Sequence, residues 1–134
     1  YGIDCTGKKA VIVGRSLVVG KPVSMMLLKK NATITVCHTK TKNIKQEVQA
    51  ADIVVAAAGS AGFIKKEHLR TGQVVIDVGI HRNEENKLCG DVDFDSVEPV
   101  CSAITPVPGG VGPMTIAMLM NNCLESVSLQ AVRG

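Results

Sequence analysis

Four short apolar runs recur along the chain at intervals of about twenty residues. They occupy residues 10–13, 33–37, 53–58 and 74–78, and a shorter run follows at 102–105. Each run is nearly continuous, as in strands buried on both faces, whereas a half-exposed antiparallel strand alternates apolar and polar residues. One strand and one crossover helix fill such an interval. The pattern predicts a single α/β domain over 1–134: a doubly wound, mostly parallel sheet of the Rossmann type, flanked by helices.

Helix signals separate the apolar runs. Pro22 suits the first turn of a helix, where its missing N–H group is not needed. Asn43 is predicted to cap a second helix, with Gln46 at the third helical position. Val23, Met26, Leu27 and Lys30 follow at helical spacing and predict one stripe of the first helix, and Ile44, Val48 and Ala51 are the expected apolar stripe of the second. Residues 65–69 predict a short third helix, and the polar residues 83–86 predict a surface loop.

The final third begins with a loop rich in proline and glycine. Residues 105–113 contain three prolines and three glycines, and apolar residues then recur every three or four positions over 114–131. This period predicts a long helix. We expect it to be buried at its start, where Met114, Ala117 and Met118 widen the apolar surface, and exposed at its end.

A glycine-bounded turn connects the first predicted strand to the first predicted helix. The strand stops at Gly14 and the helix follows Gly20, with Arg15 and Ser16 between them. Backbone N–H groups at a helix N-terminus favour phosphate, so the turn predicts a dinucleotide-phosphate site. The spacing departs from G-x-G-x-x-G, and an ordinary strand-to-helix turn is the alternative interpretation of this stretch alone.

The end of the second predicted strand indicates which cofactor this turn would bind. A carboxylate about twenty residues past the glycines would bind the ribose 2′-hydroxyl of NAD, whereas donors suit the 2′-phosphate of NADP. No carboxylate follows the turn before Glu47, and Arg15, Thr39 and Lys40 provide donors. The sequence therefore favours NADP, the alternative being that Arg15 and Lys40 only face solvent.

Glycine turns also follow the third and fourth predicted strands, at residues 59–62 and 79–80. Parallel strands bind ligands at their carboxyl ends, so these turns are expected to line the same crevice as residues 14–20. Asp77, at the end of the fourth strand, is expected to hold loop backbone by hydrogen bonds.

The histidines and the acidic run at 91–95 invite a metal interpretation. His38, His68 and His81 lack ligand spacing and are expected to be surface or packing residues, with His38 beside the cofactor. The run Asp91-Val92-Asp93-Phe94-Asp95 lacks the glycine and glutamate that a calcium loop needs. No metal site is predicted, and these carboxylates are expected to cap turns and a short helix.

Composition excludes several classes of protein. The chain is 46% apolar and 20% charged without a long apolar run, which predicts a soluble protein with no membrane span. The charge of +3 is dispersed, and one Tyr, two Phe and no Trp argue against nucleic-acid binding. Five cysteines without C-x-x-C spacing predict reduced thiols, hence the cytoplasm, with the mitochondrial matrix as the alternative. No secretory signal is predicted, and a first residue Tyr1 indicates a processed chain or part of a longer one.

Together these motifs closely resemble those of the bifunctional methylenetetrahydrofolate dehydrogenase/cyclohydrolase family. The resemblance covers nearly the whole chain, and the Pro-Gly-Gly-Val-Gly-Pro-Met-Thr segment at 108–115 is highly specific for that family. The other matching segments are 13–16, 19–22, 37–41, 51–54, 75–80, 90–94 and 104–107.

The resemblance implies an enzyme of one-carbon metabolism and purine biosynthesis. Such an enzyme oxidises 5,10-methylenetetrahydrofolate to the 5,10-methenyl form by hydride transfer to NADP, then hydrolyses the product to 10-formyltetrahydrofolate. Gly14, Arg15 and Ser16 would bind the cofactor phosphates, with Thr39 near the 2′-phosphate and Ile80 against the nicotinamide. The full predicted set is Gly14, Arg15, Ser16, Gly20, His38, Thr39, Gly59, Gly79, Ile80 and Thr115 for the cofactor, and Pro108, Gly109 and Gly110 at the substrate cleft.

The chain departs from the family at three positions and lacks one part of it. Thr39 stands where the family often has Ser, Ala61 where it often has Pro, and His81 where it often has Asn, which leaves the loop geometry there open. In the family, the proton-moving lysine, its tyrosine neighbour and most of the folate pocket lie in an N-terminal domain before the position of Tyr1. We therefore expect an NADP-binding domain with no catalytic residue of its own, inactive alone, that works with folate and that N-terminal domain.

The family's dimers pair through the cofactor domain, so a homodimer is also expected. Two alternatives remain: a non-catalytic nucleotide-binding module that kept the fold, and an unrelated small NADP oxidoreductase. The sequence shows no Tyr–Lys or His–Asp constellation, which argues against the second alternative.

Overall fold

A parallel β-sheet forms the centre of the computed structural model, which describes residues 1–133. In chain order the elements are β1 (Lys9–Val13), α1 (Gly20–Lys29), β2 (Thr33–Cys37), α2 (Ile44–Gln49), β3 (Ile53–Ala56), β4 (Val74–Asp77), β5 (His81–Arg82), β6 (Leu88–Cys89), α3 (Phe94–Val97), β7 (Ala103–Ile104) and α4 (Val111–Arg133). The central sheet has the order β2-β1-β3-β4-β7 with every neighbouring pair parallel. The predicted doubly wound parallel sheet is confirmed.

The core lies on both faces of this sheet. On one face, the sheet valines pack with Val48 of α2 and Val97 of α3. On the other face, Ala10 and Ile53 pack with Leu27 of α1. The two layers bury the central strands β1 and β3 on both faces, which is why those runs lack alternation, whereas the edge strand β2 alternates Thr with apolar residues and is partly exposed.

The buried face of α1 differs from the predicted stripe. Met26 is 68% exposed, whereas Gly20 and Ser24 are buried. The reason is the close approach of the helix to the preceding turn: a Cβ at Gly20 would overlap the backbone carbonyl of Gly14. Because of that contact, the helix face that carries the small residues Gly20 and Ser24 is the buried one.

The second helix and the short segments follow the sequence signals more closely. Asn43 caps α2 as predicted, because its Oδ1 accepts a hydrogen bond from the Gln46 amide at 3.2 Å. The predicted helix at 65–69 is a single 3₁₀ turn, Lys66–His68. The predicted loop at 83–86 is the tip of a hairpin formed by β5 and β6, which the sequence pattern did not reveal.

The last helix corrects a prediction. It begins at Val111, and its predicted burial at the start is wrong: Met114 is 58% and Ile116 66% exposed. Apolar periodicity shows that a helix face favours burial but does not identify the segment that covers it. Within residues 1–133, no helix combines the length and apolar character that a bilayer crossing requires.

Candidate nucleotide-binding site

The turn after β1 is shaped by the absence of a side chain at Gly14. Its φ is +131°, in the region that favours glycine, and a Cβ there would overlap the Ala57 carbonyl. The Ser16 hydroxyl oxygen then accepts hydrogen bonds from the Val19 amide at 3.0 Å and the Gly20 amide at 3.3 Å. Ser16 thus satisfies amides at the start of α1, so the amides open to a phosphate are those of residues 15–18 rather than of the helix itself.

A second turn, after β2, presents the predicted 2′-phosphate residues. The His38 amide donates to the Thr41 hydroxyl at 2.9 Å, and the Lys40 amide donates to His38 Nδ1 at 3.1 Å. Because Nδ1 accepts this hydrogen bond, the neutral ring carries its proton on Nε2. The turn leaves Thr39 exposed at the sheet edge. The preceding Cys37 is buried, and burial raises the pKa of its thiol, so it stays protonated and inert.

These two turns and the loop after β3 enclose a cavity of about 570 Å³, called here the first cavity. Five predicted cofactor residues line it: Gly14, Arg15, Ser16, His38 and Thr39. Gly20 lies buried beneath the turn, and Gly59 is not part of the wall, which Ser60 completes. The apolar lining residues Ile44 and Phe63 were missed, although Phe63 directly follows the glycine turn at 59–62.

A second cavity of about 390 Å³ lies at the same edge, after β4 and β7. Its lining includes Gly79 and Ile80 from one loop and, from the proline- and glycine-rich loop and α4, Pro108, Gly109, Gly110 and Thr115. The predicted residues therefore line two cavities at the same edge of the sheet. The Val107–Pro108 peptide bond is cis, and Gly109 has a positive φ of 97°.

Two buried carboxylates join the loops that separate the cavities. Asp77 accepts hydrogen bonds from the Gly79 amide at 2.9 Å and from the Asp91 and Val92 amides at 3.0 Å each, which confirms its predicted role. Burial raises the pKa of the Asp77 carboxyl, and these three amides oppose the rise. Asp91 accepts from the Gly59 amide at 2.9 Å and the Ser60 amide at 3.0 Å.

Asp91 and Asp93 each correct one expectation. His81 Nε2 lies 2.6 Å from Asp91 Oδ1, so the chain does contain a His–Asp pair, which the tertiary structure assembles from two loops. The pair faces backbone amides and no nucleophile, so it is not the beginning of a catalytic triad. Asp93, expected to cap a helix, precedes α3 without a capping hydrogen bond from its side chain.

Two other candidate residues, His68 and Lys40, lie outside the wall of the first cavity. His68 accepts a hydrogen bond from the Lys65 amide at 3.1 Å, and its ring stacks on Phe63. Lys40 does not line the first cavity. Over residues 1–133, no three His, Cys, Asp or Glu side chains are grouped so as to hold a metal ion.

Comparison with known proteins gives consistent matches. A family model described as tetrahydrofolate dehydrogenase/cyclohydrolase, NAD(P)-binding domain, matches residues 1–131. The bifunctional protein FolD of Agathobacter rectalis is 62% identical over 125 residues, which are 93% of this chain and 45% of that protein. The FolD of Acetivibrio thermocellus is 58% identical over 130 residues, 97% of this chain and 46% of that protein. The chain spans about half the length of the curated relatives it matches.

Solved structures agree with the sequence matches. The bifunctional methylenetetrahydrofolate dehydrogenase/cyclohydrolase FolD of Campylobacter jejuni is 48% identical with a TM-score of 0.93, covering 95% of this chain and 45% of that one. The Trypanosoma brucei methylenetetrahydrofolate dehydrogenase-cyclohydrolase, complexed with NADP and an inhibitor, is 40% identical with a TM-score of 0.88, covering 99% of this chain and 47% of that one.

Proposed function

Because this chain belongs to the tetrahydrofolate dehydrogenase/cyclohydrolase family through its NAD(P)-binding domain, we propose that it holds NADP for the oxidation of 5,10-methylenetetrahydrofolate. The same enzyme would hydrolyse the methenyl product to 10-formyltetrahydrofolate. This assignment extends to the chain what the names of its relatives describe. The bound cofactor supplies the hydride acceptor, and this chain supplies the binding surface.

The observation that carries the choice of NADP is the charge of the first cavity. Arg15, Ser16 and Thr39 line it together, and no Asp or Glu does. A guanidinium and two hydroxyls suit a phosphate, whereas an NAD site places a carboxylate against the free 2′-hydroxyl. The cavity therefore favours the 2′-phosphorylated cofactor, with Arg15 providing a charge-assisted hydrogen bond.

The second cavity suits the nicotinamide end and the edge of the folate site. Its lining is mostly apolar loop, with Ile80 on one side and Pro108 to Gly110 on the other. An apolar wall of this kind excludes water from a hydride-transfer site. Asp77 is the only titratable side chain in that lining within the described residues, and both its oxygens accept backbone hydrogen bonds. Proton transfer is therefore assigned to residues outside this chain, in the N-terminal domain expected of the family.

Two groups of exposed apolar side chains favour contacts with two partners, the rest of a longer protein and a second copy of the chain. Along α4, Met114, Ile116, Leu119 and Leu124 are exposed, which fits a helix covered by the rest of a longer protein. At one edge of the central sheet, β2 has Val36 exposed, and Met25 and Leu28 of the neighbouring helix α1 are exposed as well. An edge strand flanked by apolar side chains can pair with a second copy, so we propose that the protein dimerises there.

The cysteines support a reducing location. All five thiols are free, and Cys37 is buried. Unpaired thiols are typical of reducing compartments, which favours the cytoplasm, or the mitochondrial matrix if the source has one.

Calorimetric titration of the chain with NADP and, in parallel, with NAD tests this function. We expect NADP to bind more tightly by at least about tenfold, because one charged hydrogen bond to the 2′-phosphate contributes that much. A dehydrogenase assay of the chain alone is expected to show no turnover. Equal affinities would contradict the NADP assignment, and normal turnover would contradict the dependence on an N-terminal domain.

A further inference from the structure

Asp91 occupies a central position between the two loops that line the cavities. Its side chain is fully buried, yet it lines neither of the two cavities. One oxygen accepts from the Gly59 amide, and the other accepts from the Ser60 amide and lies against the His81 ring. The carboxylate therefore connects the loop after β3 to the start of β5, which directly follows the loop after β4.

The approach of the second loop to Asp91 is equally close. A Cβ at Gly79 would overlap the Asp91 amide and carboxylate, so the loop after β4 lies directly on this residue. Asp77 Oδ1 accepts a hydrogen bond from the Asp91 amide at 3.0 Å. A Cβ at Gly90 would overlap the Asp77 carboxylate. Backbone and side chain of Asp91 are thus both held, and little freedom remains for either loop to shift alone.

We propose that Asp91, braced by His81, is the positioning residue that sets the separation of the two cofactor-lining loops, 58–60 and 79–80. The proposal rests on the function proposed above, because it concerns a ligand that spans both cavities. A dinucleotide whose adenosine half lies in the first cavity and whose nicotinamide lies in the second must span both loops, so its affinity depends on their separation. Its adenosine half needs only the first cavity, whose other walls, Gly14 to Ser16 and Thr39, make no hydrogen bond to Asp91.

His81 is the informative position for a test. Its side chain is partly exposed, so its replacement leaves the core intact while removing one of the contacts of Asp91. In either the neutral or the protonated ring, Nε2 can donate to the carboxylate, so the brace does not require a charged histidine. A glutamine has an amide nitrogen at a similar reach and restores a donor without the ring.

The experiment compares His81→Ala, His81→Gln and the control Arg82→Ala, whose side chain bonds only to Asn86 at the hairpin tip. Calorimetry measures the affinity of each for NADP and for 2′,5′-ADP, which carries the adenosine half and the 2′-phosphate. We expect His81→Ala to weaken NADP about tenfold and 2′,5′-ADP less than about twofold, with His81→Gln restoring most of the loss and Arg82→Ala showing none. Equal losses for both probes, or no loss for NADP, would overturn the proposal.

Amide hydrogen exchange without nucleotide separates this inference from the proposed function. The Gly59 and Ser60 amides should exchange faster in His81→Ala than in the wild type, and return toward the wild-type rate in His81→Gln. Unchanged exchange at both amides would refute the positioning role even if NADP binds. If the wild-type chain binds neither nucleotide but the variants show these exchange differences, NADP binding by this chain is refuted. The role of Asp91 in positioning the loops is then still supported.

Discussion

The Cα of Gly14 lies directly against the backbone carbonyl of Ala57, so close that a Cβ at position 14 would overlap it. These residues follow the adjacent parallel strands β1 and β3, and the Ala57 amide donates to the Val13 carbonyl at 2.8 Å. The contact holds two walls of the first cavity together. A missing side chain is therefore what allows the turn and the loop to enclose a nucleotide-sized space.

Gly14→Ala is expected to destabilise the chain by about 2–5 kcal/mol, since both the overlap and the positive φ add strain. Urea denaturation measures the change in the free energy of unfolding. Gly112→Ala is the matched control, because no atom lies near its Cβ position and its φ is not positive. The control should change stability by less than about 1 kcal/mol. Similar losses at both positions would contradict the close contact with Ala57.

Arg15→Ala should weaken NADP binding by about 1–3 kcal/mol, the range for a hydrogen bond to a charged group, and leave NAD binding nearly unchanged. Lys29→Ala, at the far end of α1, removes the same charge away from the cavity and serves as the control. Calorimetry with both nucleotides checks the result. Equal losses of NADP and NAD affinity in Arg15→Ala would show that this side chain does not contact the 2′-phosphate.

Ser16→Ala should lower the free energy of unfolding by about 1 kcal/mol, because two amides at the start of α1 lose the hydroxyl oxygen that accepts their hydrogen bonds. The control is Ser126→Ala on the exposed surface of α4, where the hydroxyl only donates to the Asn122 carbonyl. Thermal and urea unfolding of both variants give the comparison. A smaller loss in Ser16→Ala than in Ser126→Ala would argue against this capping role.

The raised pKa of Asp77 makes a specific prediction about pH. The folded chain holds the Asp77 proton more tightly than the unfolded chain, whose carboxyl keeps its usual pKa of 3.8. The stability from this group is therefore fully present below 3.8 and is lost as the pH rises through the folded-state pKa. Asp77→Asn cannot titrate, so the stability of the wild type relative to this variant should fall as the pH rises from about 4 to 7. A difference that grows over this range would contradict the direction of the shift.

The exposure of α4 predicts unequal effects of the same substitution. Leu124 is 70% exposed, whereas Leu69 is 8% exposed and packs in the core. Leu69→Ala should cost about 2–4 kcal/mol of stability, and Leu124→Ala less than about 0.5 kcal/mol. Urea denaturation of the chain measures both. A comparable loss at Leu124 would show that α4 is packed within this chain.

The order of strands and helices follows from local information. Apolar runs of strand length at a repeating interval, together with Asn43 and the glycine turns, specify βα units, and right-handed crossovers leave few topologies for them. The residues of the first cavity were predictable for the same reason, because the ends of adjacent parallel strands must meet at one edge. Arg15, Ser16 and Thr39 line the first cavity together because they directly follow the adjacent strands β1 and β2.

Long-range geometry decided what the sequence left open. His81 contacts Asp91 because the pairing of β5 with β6 brings the two residues together. No local sequence pattern predicts a contact between a histidine and an aspartate ten residues apart. The division of the site into two cavities and the exposure of Met26 and α4 depend likewise on how finished elements pack. Hydrophobic periodicity and turn residues determine where strands, helices and turns form, because they act within a few residues of the chain. The partners of each side chain are set by tertiary packing, because burial and hydrogen bonding are satisfied by whichever groups the folded chain brings within reach.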